Sequence, residues 1–260
     1  GNGIEVLALA RQPDGAILVA GRFTSYDGDA RTNLLRISPD GDLDDSFDPG
    51  GSFTFDGPVH DLLLLGTDIV AVGGFGGGIA RFAQDGTPVA NFADGADVQG
   101  TVYAVVEMDD DTLALGGQFW TYEGVRVDGL AYVNAADGAL LDMPADNPSV
   151  YGVTDLAVLP DGGVVLGGMA GLYRFDASGA IDMEYAGVNA DTWGSHSVAV
   201  LPNDLILLGG DIYDEGLLAF THAGEPVAEF PALTPAVTAL AVDAAGRVLV
   251  GGDFDDADGS

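Results

Sequence analysis

Residues 6–50 read VLALARQPDGAILVAGRFTSYDGDARTNLLRISPDGDLDDSFDPG. An alternating apolar run from Val6 meets a turn signal at Pro13-Asp14-Gly15, and a second run from Ile17 ends on Gly21. A third run, Leu34 to Ile37, meets another turn at Pro39-Asp40-Gly41, and a short segment closes on Phe47. Short period-2 runs bounded by Pro, Asp and Gly are the pattern of strands joined by tight hairpins. The stretch predicts four short antiparallel strands.

The same unit recurs. AILVAGRF, IVAVGGF, TLALGGQF, VVLGGM, LILLGGD and VLVGGDF place one glycine at Gly21, Gly74, Gly117, Gly168, Gly210 and Gly252, at spacings of 53, 43, 51, 42 and 42 residues. Fifteen residues earlier stand Val6, Val59, Val102, Val153, Ser195 and Val237, where the first strand of each copy begins. A turn column between them holds Gly15, Asp68, Asp111, Gly162, Asp204 and Gly246, residue types that tolerate φ > 0. The repeated glycine is expected where neighbouring backbones crowd near a common axis. A period in the forties with four strands per copy is what the blades of a β-propeller require.

The reading is therefore an all-β chain, with one β-propeller domain over 1–260 built of four-stranded antiparallel blades. The blades start near residues 4, 57, 101, 151, 194 and 236; five are complete and the sixth is present as its first half. Short fourth strands are expected to end at Phe47, Phe92, Tyr185 and Phe230, and the loops FTSYDG, FWTYEG and FDDADG lengthen copies one, three and six. The half-blade leaves three expectations: the chain continues past Ser260, the ring is open, or a partner closes it.

Copy one, with its PDG turn, its glycine strand end, the R-x-x-x-DG of its third strand and the L-D-x-x-F of its close, resembles the bacterial delta-60 repeat. Copies three and four are similar to it as well, and copies two and five match in the glycine pair and third strand. The resemblance covers about the whole chain. It implies a propeller fold and a place in large secreted or surface proteins, mostly without an assigned reaction.

Composition narrows the function. Among 260 residues, 41 are acidic and 8 basic, a formal charge of −33, and every basic residue is Arg. Such a surface repels phosphate backbones and anionic headgroups, so nucleic acid and membrane insertion are excluded as partners. Without Cys or Lys there is no disulfide, thiolate or Schiff-base chemistry, and no charged-then-apolar leader or bilayer-length apolar run is present. Hydrophobic content of 47% supplies a core, so this is a folded chain with an acidic skin. Self-repulsion of that charge predicts a melting temperature that rises from dilute buffer to molar salt or with Ca²⁺; an unchanged melting curve would contradict it.

The residues just after each first-strand start face the channel mouth in this reading. They run Leu7, His60, Tyr103, Thr154, His196 and Thr238, followed by Ala8, Asp61, Ala104, Asp155, Ser197 and Ala239. His60, Asp61, Tyr103, Asp155 and His196 are thus candidate ligand contacts, with Trp193, Trp120 and Tyr122 as candidate stacking platforms for sugar or peptide. The competing reading is a wet channel lined by ordinary polar residues. Zinc shared by the two His is disfavoured, because opposite walls of a six-bladed channel stand on the order of 10 Å apart.

Asp27, Asp40, Asp42 and Asp44 are candidate oxygen ligands for Ca²⁺, the one cofactor the sequence suggests. The DGDLDD run lacks the sixth-position Gly and twelfth-position Glu of an EF-hand, which favours plain turns. No nucleophile-elbow, HExxH or dinucleotide fingerprint occurs, so no catalytic residue is assigned. The expectation is a non-enzymatic extracellular or cell-surface module, binding or structural. Its partners would be a surface protein, a glycan or neighbouring subunits. A carbohydrate-binding lectin or carbohydrate-active enzyme using the axial pocket is the alternative.

Overall fold

The computed structural model describes residues 4–49, 53–93, 96–108, 111–142, 149–169, 171–182, 195–212, 216–227 and 233–256, with backbone only at 195, 196, 234, 235 and 254–256. All regular structure among them is β. Six antiparallel sheets follow one another, besides a small two-stranded ribbon of Ser25–Tyr26 and Asp29–Ala30. Sheet one holds Glu5–Arg11, Ile17–Arg22 and Leu34–Ile37; sheet two holds Val59–Leu65, Asp68–Gly73 and Ile79–Phe82. Sheet three holds Gln99–Met108, Thr112–Tyr122 and Leu130–Asn134, with the two-residue strand Val125–Arg126 folded back on the end of Thr112–Tyr122; sheet four holds Val153–Val158, Val164–Gly168 and Gly171–Phe175. Ser195–Val200, Ile206–Gly210 and Leu217–Phe220 form sheet five, and Thr234–Val242 with Val248–Asp256 form sheet six.

The fourth strand expected in each copy is, among the described residues, a single bridge. These bridges join Ile37 to Leu43, Phe82 to Pro88, Val133 to Leu140, Phe175 to Ile181 and Phe220 to Pro226. Pro88 and Pro226 bring no N–H, so a ladder cannot extend through them. The four-strand expectation thus reduces to three strands and a bridged outer segment; Tyr185 and Phe230 lie outside the described residues.

A bulge in every first strand accounts for the repeated glycine. The ladder slips by one residue at Leu7, His60, Tyr103, Thr154, His196 and Thr238. Just before the slip a first-strand carbonyl presses on the second strand. A Cβ on Gly21, Gly73, Gly117, Gly168 or Gly252 would sit 2.0, 2.1, 2.2, 2.4 or 2.2 Å from the carbonyl oxygen of Glu5, Pro58, Thr101, Gly152 or Ala236. No side chain fits there.

In sheet two this corrects the expected column, since Val59 pairs with Gly73 and not Gly74. The first hairpin of that sheet is one residue shorter, and its positive φ falls on Gly66 (63°) instead of Asp68. The preceding glycines answer to the next sheet instead. A Cβ on Gly116 or Gly209 would meet the Val153 or Val237 methyl at 2.5 or 2.6 Å.

The core lies between consecutive sheets. Each first strand packs beside that of the following sheet, from sheet one to sheet six. One apolar cluster fills each of the five junctions, as where Leu207 and Leu217 of sheet five meet Val237 and Leu240 of sheet six. The sixth sheet leaves its outer face open, whereas on the outer face of the first a small cluster of Val19, Phe23 and Leu35 is buried against Tyr26 and Leu43. Leu18, Val70, Ala114, Val165 and Leu207 share one register position and are 0% exposed, whereas Leu249 at that position is 60% exposed. Val6 is likewise 55% exposed where Val59, Val102, Val153 and Val237 are fully buried.

Candidate functional site

The six first strands converge on a cavity of about 560 Å³. Every sheet contributes: Val6, Leu7 and Leu9 from the first, His60 and Asp61 from the second, Tyr103 from the third, Thr154 and Asp155 from the fourth, Ser197 from the fifth, Thr238 and Leu240 from the sixth. The bulge explains this convergence, because the extra residue turns its side chain out of the ladder. Of the sequence candidates, the structure brings together His60, Asp61, Tyr103 and Asp155. The side chain of His196 and all of Trp193 lie outside the described residues.

The two carboxylates are held by backbone. Asp61 accepts the N–H of Leu62 at 2.8 Å and, across the junction, that of Val105 at 2.9 Å. Asp155 repeats the arrangement with Leu156 and Val198, both at 2.8 Å, and takes the Ser197 hydroxyl at 2.8 Å. Ser197 Oγ in turn accepts the Leu240 N–H at 3.1 Å. The five N–H groups two residues beyond the bulge in sheets two to six are all satisfied by three side chains of one column. Each inner strand has this edge unpaired toward the axis, and an orphaned N–H there would be costly.

Burial pushes Asp61 up to about 7, with its two N–H donors opposing and the Asp155 charge adding to the rise. Burial also raises Asp155 against its three donors. His60 is half-buried, and burial lowers its pKa, so it is neutral at pH 7. Its ring meets Tyr103 edge-on, with centroids 4.8 Å apart. The Thr238 hydroxyl donates to the Gly251 carbonyl at 3.3 Å and that of Thr154 to the Gly167 carbonyl at 3.1 Å. What remains to meet a guest is an imidazole, a phenol ring and an apolar lip of Leu7, Leu9 and Leu240. Thr154, Ser197 and Thr238 belong to this lining too, and the register of the bulge column was the signal for them.

Trp120 and Tyr122 do not line the cavity. Tyr122 is fully buried, its hydroxyl donating to the Gly138 carbonyl at 2.6 Å, just as Tyr26 donates to Gly41 at 2.9 Å. Each tyrosine precedes a tight hairpin turn of two positive-φ residues, Asp27-Gly28 and Glu123-Gly124, and ties it to the glycine of the next turn. Trp120 is half exposed and lies edge-on to Tyr151 at 5.7 Å.

The calcium candidates each have a local role in a turn or an ion pair. Asp27 is a hairpin-turn residue, and Asp44 holds Arg36 at 2.7 Å. Hydrogen bonding from Ser46 is the main cause that lowers the Asp44 pKa. Asp40 and Asp42 sit in a turn whose N–H groups bond Ser38 Oγ at 3.3 and 3.2 Å. Among the described residues no three acidic or His side chains gather at one point.

Residues 12–47 match a family described as a domain of unknown function, DUF5122, beta-propeller. No curated protein matches the sequence. Selenomethionine-substituted virginiamycin B lyase from Staphylococcus aureus is similar in structure, with TM-score 0.65 and 13% identity over 96% of this chain and 77% of that one. Its catalytically inactive His-to-Ala variant with quinupristin gives 0.61 and 11% over 96% and 78%. The extracellular domain of the hybrid two component system BT4673 from B. thetaiotaomicron gives 0.64 and 16% over 98% of this chain and 32% of that chain, so the present chain spans about a third of it. At these identities the likeness is one of fold. The fold is a β-propeller, and no helix of the described residues is long and apolar enough to cross a membrane.

Proposed function

We propose that the chain is a non-enzymatic, extracellular β-propeller module of the delta-60 type, with five complete blades and half of a sixth, that binds a ligand at the mouth of its axial cavity. One observation carries this reading. The cavity's two acidic groups are engaged by backbone N–H groups, and the one hydroxyl on a carboxylate, Ser197 on Asp155, itself closes the Leu240 N–H, so these groups are committed to the fold and the rest of the lining is recognition surface. A wall of half-buried imidazole, aromatic ring and leucines suits an uncharged, partly apolar guest such as a peptide or glycan of a neighbouring surface. The acidic skin suits a salty or calcium-rich exterior. The likeness to an extracellular domain supports that location.

A second reading, a glycan-binding lectin, rests on the exposed Trp120–Tyr151 pair, whose rings could stack on a sugar away from the axis. A glycan array and a peptide library screened with and without millimolar Ca²⁺ separate the two. Binding lost in His60→Ala and Tyr103→Ala and kept in Trp120→Ala supports the axial site. The reverse pattern supports the lectin face, and turnover of a bound glycan by the wild type would overturn the non-enzymatic reading.

A further inference from the structure

Three junctions between sheets are pinned by the same bond. Arg36, Arg81 and Arg174 occupy one position of the third strand, opposite Leu18, Val70 and Val165. Each guanidinium binds a carboxylate, Asp44, Asp68 or Asp161, and reaches a backbone carbonyl of the following sheet. The carbonyls are those of Gln84 at 2.6 Å, Ala135 at 2.6 Å and His222 at 3.5 Å. In two cases an aromatic ring lies beneath the cation, Phe47 at 4.9 Å and Phe92 at 5.9 Å.

Ala219 takes this position in the fifth sheet, and the third sheet breaks the series as well. Tyr132, opposite Ala114, stands where the arginine would be. The carbonyl it would have to reach is that of Ala177, which follows Asp176 in its turn as Gln84 follows Ala83 and His222 follows Thr221. Among the described residues nothing donates to Ala177. At this place there is a cavity of about 270 Å³, lined by Tyr132, Leu141, Asp142, Asp161, Ala177 and Ser178 among others, and sharing no residue with the axial cavity. Tyr132 is 5% exposed, and its buried hydroxyl has no hydrogen-bond partner among the described residues. Asp161 already holds Arg174 and lies 3.5 Å from His222, whereas Asp142 is exposed and, among the described residues, its carboxylate has no partner.

We propose that this cavity receives a guanidinium group from outside the chain, in the place that sheets one, two and four fill with their own arginine. The acceptors fit a planar cation: the Ala177 carbonyl, the Asp142 carboxylate, the second lone pairs of Asp161, and the Tyr132 ring as a face. The small volume suits a head group on a short stem, and the charge of −33 raises the local concentration of cations. The guanidinium is either that of a free small molecule or that of an arginine side chain on a partner.

The test is calorimetric titration of the full chain at 0.15 M salt with agmatine and with N-acetyl-arginine amide, using butylamine as the control. Saturable one-to-one binding is expected, weakened about tenfold by Asp142→Asn through loss of a charge-assisted bond. Tyr132→Arg is expected to abolish it by filling the cavity from within, and to raise the melting temperature by supplying the fourth pin. Preference for agmatine assigns a free ligand, and preference for the amide assigns a partner's arginine. No saturable binding, or binding equal in wild type and Asp142→Asn and screened by salt alike in both, would overturn the proposal; Asp142→Asn decides this even if Tyr132→Arg fails to fold.

Discussion

Replacing Asp155 with alanine is expected to remove about 3 kcal/mol of folding stability, lowering the melting temperature by roughly 6–12 °C for a chain of this size. The reason lies in what the carboxylate serves. It closes two backbone N–H groups on neighbouring strands and orients Ser197, which closes a third on the sheet beyond. Alanine leaves the two N–H groups buried without acceptors, and the relief of a buried charge offsets part of that loss. Asp155→Asn keeps one acceptor oxygen and should fall between. Because Ser197 acts through the same network, Asp155→Ala and Ser197→Ala should be clearly non-additive in a double-mutant cycle. Additive effects would show that the chain of bonds does not work as a unit.

The same carboxylates set a pH dependence whose sign is opposite to that of an ion-paired aspartate. Asp61 titrates near 7 in the folded chain, above its ordinary 3.8, so folding takes up a proton between those values. Its favourable contribution is full below pH 3.8 and is lost as pH rises through 7. A dry carboxyl so displaced would carry roughly 4 kcal/mol, and water admitted by the cavity reduces this to about 2. Denaturant unfolding from pH 4 to 8 should show the wild type losing that much more than Asp61→Asn. Parallel profiles would mean that Asp61 stays ionised throughout.

The second large effect separates residues that the sequence treats alike. Leu207→Ala is expected to cost about 3 kcal/mol, because the side chain is wholly enclosed between sheets five and six and leaves a cavity. Leu249→Ala, at the same position of the next repeat, is expected to cost less than about 0.5 kcal/mol, since its face is open. Leu18→Ala should behave like Leu207→Ala, as it lies against sheet two. If Leu249→Ala proved as costly as Leu207→Ala in dilute solution, the bare face of sheet six would have to be covered in the working protein.

Much of the fold was legible in the repeats, because strand periodicity and turn chemistry are local properties. The turn column held at Gly15, Asp111, Gly162, Asp204 and Gly246, all with positive φ. It failed in sheet two, where deleting one hairpin residue moved the left-handed position to Gly66 and the crowded glycine to Gly73; a column aligned on glycine pairs cannot tell two adjacent glycines apart. The short fourth strand was over-read, since a bridge and a strand carry the same apolar signal and differ in whether N–H groups continue the ladder. In the candidate site, the two adjacent columns containing His60 and Tyr103, and Asp61 and Asp155, were visible from spacing alone. What Asp61 and Asp155 bind was not, because their partners are backbone groups 43 or 44 residues away. Tyr122 looked like an aromatic platform and is a buried hairpin tie.

The sequence by itself determined an all-β chain of repeated hairpins, acidic outside, with one column of residues at each first-strand bulge, since period, turn residues and charge are written along the chain. Only the tertiary structure decided which members of that column face a guest and which close orphaned N–H groups. It also decided which arginine is missing between the third and fourth sheets and which leucine of an otherwise buried series meets solvent. Those distinctions depend on what the next sheet places opposite each side chain, and that neighbour is one whole repeat away in sequence.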